Sequence, residues 1–152
     1  MIIETTRFGT VAYKKSEIVQ MVRELLSFDE MRNFIIVSIR GQEPFKWLQS
    51  LDDPSLAFLM ADPIQFKSDY VVEVHPHDLE LLDTDNLEDV TVFVLVTIPQ
   101  GQPDKMSINL QGPIIINHKN MLGAQLVLSD SGYGTRHSIL RGLEKKQLEV
   151  AV

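Results

Sequence analysis

Pro44–Pro63, PFKWLQSLDDPSLAFLMADP, reads as a strand, a tight turn and a returning strand. Phe45, Trp47, Gln49 and Leu51 share one parity, so an extended chain points them to one face. Asp52-Asp53-Pro54-Ser55 carries turn chemistry, because Asp bonds its own backbone and Pro presets φ at the second turn position. Leu56–Ala61 returns as an unbroken apolar run, which fits a strand covered on both faces and also a buried helix segment, and Asp62-Pro63 ends it. Such a hairpin places Trp47, the single tryptophan, and Phe58 in an aromatic cluster at the centre of a β core.

The rest of the chain supports the same class. Val90–Ile98, VTVFVLVTI, is the strongest strand pattern. Val90, Val92, Val94, Val96 and Ile98 make a wholly apolar face, while Thr91, Phe93, Leu95 and Thr97 make a mixed one. Both faces are expected to be covered, with Val92, Val94 and Val96 in the core. Phe34–Ile39 is a short β-branched strand. Further strands are expected at Met1–Thr6, Thr10–Tyr13, Tyr70–His75, Met106–Asn117 and Ala124–Leu128, and Pro76–Leu82 reads as a short helix with Asp78 at its positive end. Ser16–Met31 fits a helix capped by Ser16 and, over Ile18–Val22, equally a strand. Roughly eight short strands separated by turns predict an all-β, mainly antiparallel single domain, a barrel-like or sandwich fold with one or two short helices. The predicted β domain covers residues 1–137. Residues 138–152 form a tail, with Leu140, Leu143 and Leu148 at roughly helical spacing.

The chain has 152 residues and a formal net charge of −7. That charge argues against direct nucleic-acid binding, which needs a basic footprint, and suits a basic protein partner. Without cysteine there is no disulfide scaffold, thiol nucleophile or thiolate metal site. The N-terminal residues lack the pattern of a signal peptide, and the apolar runs are too short to span a bilayer, so a cytoplasmic protein is expected. His75-x-His77-Asp78 has no partners at metal-ligand spacing. The glycines of Ser131–Thr135 match neither a phosphate loop nor a dinucleotide fingerprint, and no nucleophile elbow is present. No catalytic residue, cofactor or metal is expected.

Several fragments in order carry a resemblance. Glu4–Gly9, Trp47–Pro54, Ala57-Phe58, Asp62-Pro63, Asp69-Tyr70, Val96–Pro99, Asn109-Leu110, Pro113–Asn117, Gly123-x-Gln125 and Tyr133-x-x-Arg136-His137 together resemble the flagellar assembly factor FliW family, from about Ile2 to about His137. The resemblance implies a non-enzymatic β domain. It implies binding to CsrA, an RNA-binding translational repressor, in a way that relieves repression of flagellin synthesis, with flagellin as the competing partner. One segment departs from the family: Met21–Phe28 lacks the proline and both glycines usual there, which leaves that loop open to a partly helical form. A ligand- or carbohydrate-binding β-sandwich with Trp47 as a stacking platform is the alternative function.

Matched residues that are polar or lie in turns are the candidates for partner contact: Asp52, Asp53, Asp69, Asn109, Tyr133, Arg136 and His137. Each also has a structural reading, as a turn former, a backbone acceptor or a loop anchor.

Overall fold

The computed structural model describes residues 1–23, 25, 30–129 and 131–139. Among them the strands are β1 (Ile2–Thr5), β2 (Gly9–Ala12), β3 (Val19–Met21), β4 (Asn33–Val37), β5 (Phe45–Ser50), β6 (Ala57–Ala61), β7 (Val90–Thr97), β8 (Ser107–Ile108), β9 (Ile114–Asn117), β10 (Leu122–Gln125) and β11 (His137–Ser138), with one α-helix, α1 (Pro76–Leu81), and short 3-10 turns between strands. The expected hairpin is β5–β6, paired from Phe45↔Ala61 to Gln49↔Ala57. Where Ser16–Met31 is described it contains strand β3. The helix-or-strand question for 24 and 26–29, and the expected helical tail from 140 onward, lie outside the described residues.

The strands run β7-β6-β5-β4-β3-β10-β9, and β9 pairs back onto β7, so seven strands close into a barrel. The pairs are antiparallel except β3 with β10, which is parallel. β7 makes the closure. β6 lies along one edge; the other is shared by β8, opposite Val96 and Thr97, and β9, opposite Val90–Phe93. β1 and β2 form a separate hairpin, turned at Gly9 (φ +66°), where a side chain would be strained. The hairpin is tied to the β5–β6 turn by Thr6 N–H donating to the Pro54 carbonyl.

Register decides which residues fill the barrel. Val19, Met21, Leu25, Phe34, Leu48, Met60, Phe93, Ile114 and Ile116 form the interior cluster, with Ile36, Phe58 and Leu95 against it. Phe34 and Phe58 face each other at 6.4 Å. Gly123 faces the same interior. A Cβ there would lie 3.0 Å from Met21 Sδ and 3.4 Å from the Ile115 carbonyl, so only glycine lets β3 and β9 approach on either side. Burying one such aliphatic or aromatic side chain contributes about 1.5–3 kcal/mol, against about 0–1 kcal/mol for an exposed ion pair such as Lys67–Asp69. The interior cluster therefore outweighs the surface charge pairs.

The valine face of β7 points outward, not into the barrel. This corrects the expected core. Val94 is fully buried, but in a second cluster with Ala61, Phe66, Tyr70, Ile108, Leu110 and Ile139; Val96 is partly buried there. Val92 is partly buried in a third cluster with Leu82, Ile115, Ala124 and Leu126. Phe93, from the mixed face, is the residue that fills the barrel. A strand with apolar residues on both faces has no alternation to say which face is inner. Trp47 is corrected likewise. Its shared face with Phe45 and Gln49 is real, but that face lies outside the barrel, and Trp47 is only partly buried. Segment 70–75 is not a strand. Val72 and Val74 are partly buried and Val71, Glu73 and His75 exposed, as alternation predicts, but among the described residues no strand pairs with it.

Replacing Val94 by Asp would bury an unpaired charge between the barrel wall and its outer layer, at a cost of several kcal/mol. We expect Val94→Asp to lose its cooperative thermal transition by circular dichroism, and Thr97→Asp, exposed on the same strand, to stay near wild type. An unchanged transition in Val94→Asp would contradict the outer layer described here.

Candidate functional site

The candidate residues fall into two groups at opposite ends of the β5–β6 hairpin. Asp52 and Asp53 sit in its turn. The others gather near Ala61, Phe66 and Tyr70, where the two strands begin and end. Five strand steps at about 3.3 Å separate the ends, roughly 17 Å.

At the turn, both carboxylates organise backbone. Asp52 Oδ2 accepts from the Arg32 and Asn33 N–H groups at 2.8 Å each, pinning the entry to β4. Partial burial pushes the Asp52 carboxyl up, but the hydrogen bonds from Asn33 and Arg32 prevail and hold it below the ordinary carboxylate value. Asp53 Oδ1 accepts from the Ser55 hydroxyl at 2.6 Å and the Ser55 N–H at 3.0 Å, and these two bonds lower its pKa. Ser50 Oγ accepts from both the Asp52 and Asp53 N–H groups. Beneath the turn, Gln49 is fully buried and its Nε2 lies within hydrogen-bond distance of the Ser50, Pro54 and Leu56 carbonyls. The turn is densely hydrogen-bonded, and Asp52 is exposed at its surface.

At the other end, Tyr70 is the hub. Its hydroxyl donates to the Leu110 carbonyl at 2.6 Å, and its ring lies 4.7 Å from that of Tyr133. Burial, with Tyr133 adding to it, pushes the Tyr70 phenol far above its ordinary value, so it stays a donor. The Tyr133 hydroxyl accepts from Val71 N–H, and Gly134 accepts from Leu110 N–H, so this loop is stitched to segment 70–71 and to the β8–β9 connection. Asn109 Oδ1 accepts from the Gln111 and Gly112 N–H groups, which makes it a turn former. Asp69 is exposed and paired with Lys67 at 2.8 Å. Arg136 is exposed, and His137 lies partly buried in β11, opposite Ile108.

Sequence reasoning missed three features. Arg7 stacks its guanidinium 4.5 Å from the Trp47 ring centroid, and Phe8 meets the same ring edge-on at 5.6 Å. The face of Trp47 that a sugar would need is thus partly taken by Arg7; the only signal was an aromatic and a basic residue in a hairpin turn. Tyr70 as hub had no local signal, because Leu110 lies 40 residues away. Asp78, expected only to favour the helix dipole, also accepts from His75 N–H and sits 4.0 Å from Arg23. Among the described residues, no three His, Asp or Glu side chains are grouped to hold a metal ion, and no helix is long and apolar enough to cross a membrane.

Comparison with known proteins gives one answer. A family model described as FliW protein matches residues 2–139. The chain is 37% identical over 149 residues to the flagellar assembly factor FliW of Magnetococcus marinus, covering 98% of this chain and 91% of that one. It is 40% identical over 144 residues to that of Treponema denticola, covering 94% and 96%. A crystal structure of the flagellar assembly factor FliW superposes with a TM-score of 0.83 at 29% identity, covering 91% of this chain and 96% of that chain.

Asp52 generates a prediction. Its folded pKa is depressed, so its contribution to stability is present above the ordinary value of 3.8 and is lost as pH falls through the folded value. Asp52→Ala should lower stability at pH 7 by about 1 kcal/mol, a modest figure because the carboxylate is exposed. Its stability should also fall less steeply than wild type below about pH 4. Urea titrations at several pH values measure both; parallel curves for the two proteins would contradict the assignment.

Proposed function

Because the chain belongs to the FliW family of flagellar assembly factors, we propose that it acts in the cytoplasm as a non-enzymatic antagonist of a CsrA-type translational repressor. Binding the repressor relieves its hold on flagellin synthesis, and flagellin competes for the factor. While flagellin accumulates it occupies the factor and leaves the repressor active; as flagellin is secreted, the factor is released to bind the repressor. The protein needs no contact with nucleic acid or membrane for this, and no cofactor.

One observation carries the reading: the family match spans residues 2–139, which includes the barrel, its outer layer and both groups of candidate residues. The charge of −7 supports it, since a repressor that binds RNA presents basic surface. Exposed Asp52, with Asp53 beside it, forms the acidic rim proposed to steer that encounter, and Asp69 and Arg136 offer exposed charge at the far end.

The test separates charge from turn geometry. Asp53→Asn keeps an oxygen to accept from Ser55 while removing the charge, so its thermal midpoint should match wild type. Its association with the purified repressor should be several-fold slower at low salt, the difference shrinking as salt screens it. Stopped-flow rates equal to wild type at every salt concentration would place Asp53 away from the interface. Calorimetry showing no heat with either the repressor or flagellin would remove the proposed function itself.

A further inference from the structure

β6 stops short of the strand it pairs with. It meets β7 only at Met60↔Leu95 and Ala61↔Val94, then turns away at Asp62-Pro63, so Val90–Phe93 lie beyond its end. In an antiparallel ladder, successive residues turn their N–H and C=O groups to opposite sides. The Asp89 and Leu95 carbonyls accept from His118 and Asn109 N–H, toward β9 and β8. The even-numbered residues of β7 therefore face the lane of β6. Val94 meets Ala61 there, and Val90 N–H turns back to the Leu87 carbonyl. Continuing the register would set Pro63 opposite Val92, but Pro63 has no N–H, and its carbonyl already accepts from Phe66 and Lys67 N–H. Among the described residues, nothing bonds the amide or the carbonyl of Val92 on this side.

The vacated lane is a cavity of about 560 Å³. Pro44 and Lys46, at the start of β5, line it together with Val90–Phe93 of β7, and Val72, Val74, Ile64 and Leu87 complete its apolar walls. Ile64 and Leu87 are large apolar side chains left 56% and 58% exposed at this place. Two charged side chains line the lane. Asp62 is engaged: its Oδ1 accepts from Ile64 N–H and caps the turn that ends β6. Lys46 is exposed and, among the described residues, has neither a hydrogen bond nor an ion pair. An unpaired strand edge beside apolar walls is a template for added main chain.

We propose that this lane receives a short extended segment of another protein, which takes the place that β6 leaves. Its main chain exchanges one N–H···O=C pair with Val92, as in β-augmentation. Its apolar side chains lie against Ile64, Val74 and Leu87, and one acidic side chain reaches Lys46, the lining charge that has no partner. The partner segment is therefore apolar with an aspartate or glutamate, not a lysine or arginine. The match is local, because at physiological salt charges farther than about 8 Å are largely screened, so the net −7 of the whole chain does not set it. The lane follows from the β6–β7 register alone and does not depend on the partners proposed above.

The probe is a fluorescein-labelled six-residue peptide of alternating valine and glutamate, followed by anisotropy on the full chain at physiological salt. It should saturate. The same peptide N-methylated at every residue keeps the side chains but loses the donors, and should not saturate. A peptide with lysine in place of glutamate should bind several-fold more weakly. Lys46→Met, at an exposed position, should keep the thermal midpoint, weaken the glutamate peptide about fivefold and remove its advantage over the lysine peptide. Amide exchange locates the segment. The Val92 amide, unpaired in the free protein, should exchange about tenfold more slowly at saturation, while the Val94 amide, already paired with Ala61, should change little. Unchanged Val92 exchange at saturation, equal binding of the N-methylated or the lysine peptide, or no saturation by about 1 mM would each overturn the proposal. So would a dimer of the protein that the peptide dissociates, since the lane would then belong to a second copy.

Discussion

The fold depends on the seam where β9 returns to β7. Val90–Phe93 pair with Asn117–Ile114 in one register, and that pairing turns a curved sheet into a closed wall. Once closed, every residue has an inside or an outside. A slip of one position at this seam would exchange Phe93 and Ile114 with Val92 and Ile115, and would drive fully apolar faces against the wrong layer. The interior is filled by large residues from six strands, Phe34, Met60 and Phe93 among them. The outside of β7 is as apolar as the inside, so the chain must cover it. Tyr70, Ile108, Leu110 and Ile139 do so over Val94, and Leu82 and Leu126 do so beside Val92. The wrapping segments that make up much of the surface are a consequence of that two-sided strand.

How much of this was legible in the sequence follows from the range of each cause. The β5–β6 hairpin was legible because Asp52-Asp53-Pro54-Ser55 closes it locally, and α1 because Pro76 and Asp78 act within one turn. The all-β class was legible from strand length and spacing. The side of β7 that faces inward was not, since Val94 and Phe93 are equally apolar and only the closure distinguishes them. Trp47 was misplaced for the same reason: parity groups it with Gln49 and Phe45 but does not say on which side of a barrel the group lies. Segment 70–75 shows true alternation of burial, yet a ladder needs a neighbour at hydrogen-bond distance, and among the described residues no strand supplies one.

The candidate residues divide along similar lines. Asp53 and Asn109 hold turns whose acceptor geometry spans two or three residues, so their structural roles could be named from sequence alone. Tyr133 could be suspected as a loop anchor, but its partner, Val71 N–H, is 62 residues away. Asp52 reaches back 20 residues to the start of β4. The chain order of matched fragments identified the family where local chemistry could not, because that order is itself a record of the barrel's connectivity.

Trp47 has a practical consequence. As the single indole of the chain, it is also its one intrinsic chromophore of that kind, and it sits not in the barrel but under Arg7 and Phe8 of the β1–β2 hairpin. Its emission therefore reports whether that hairpin is seated. Lifting the hairpin would strip a cation and an aromatic edge from the ring and wet it, while the barrel's backbone signal stayed constant. Any partner that levers the N-terminal hairpin off the wall would announce itself as a colour change in unlabelled protein, separable from global unfolding.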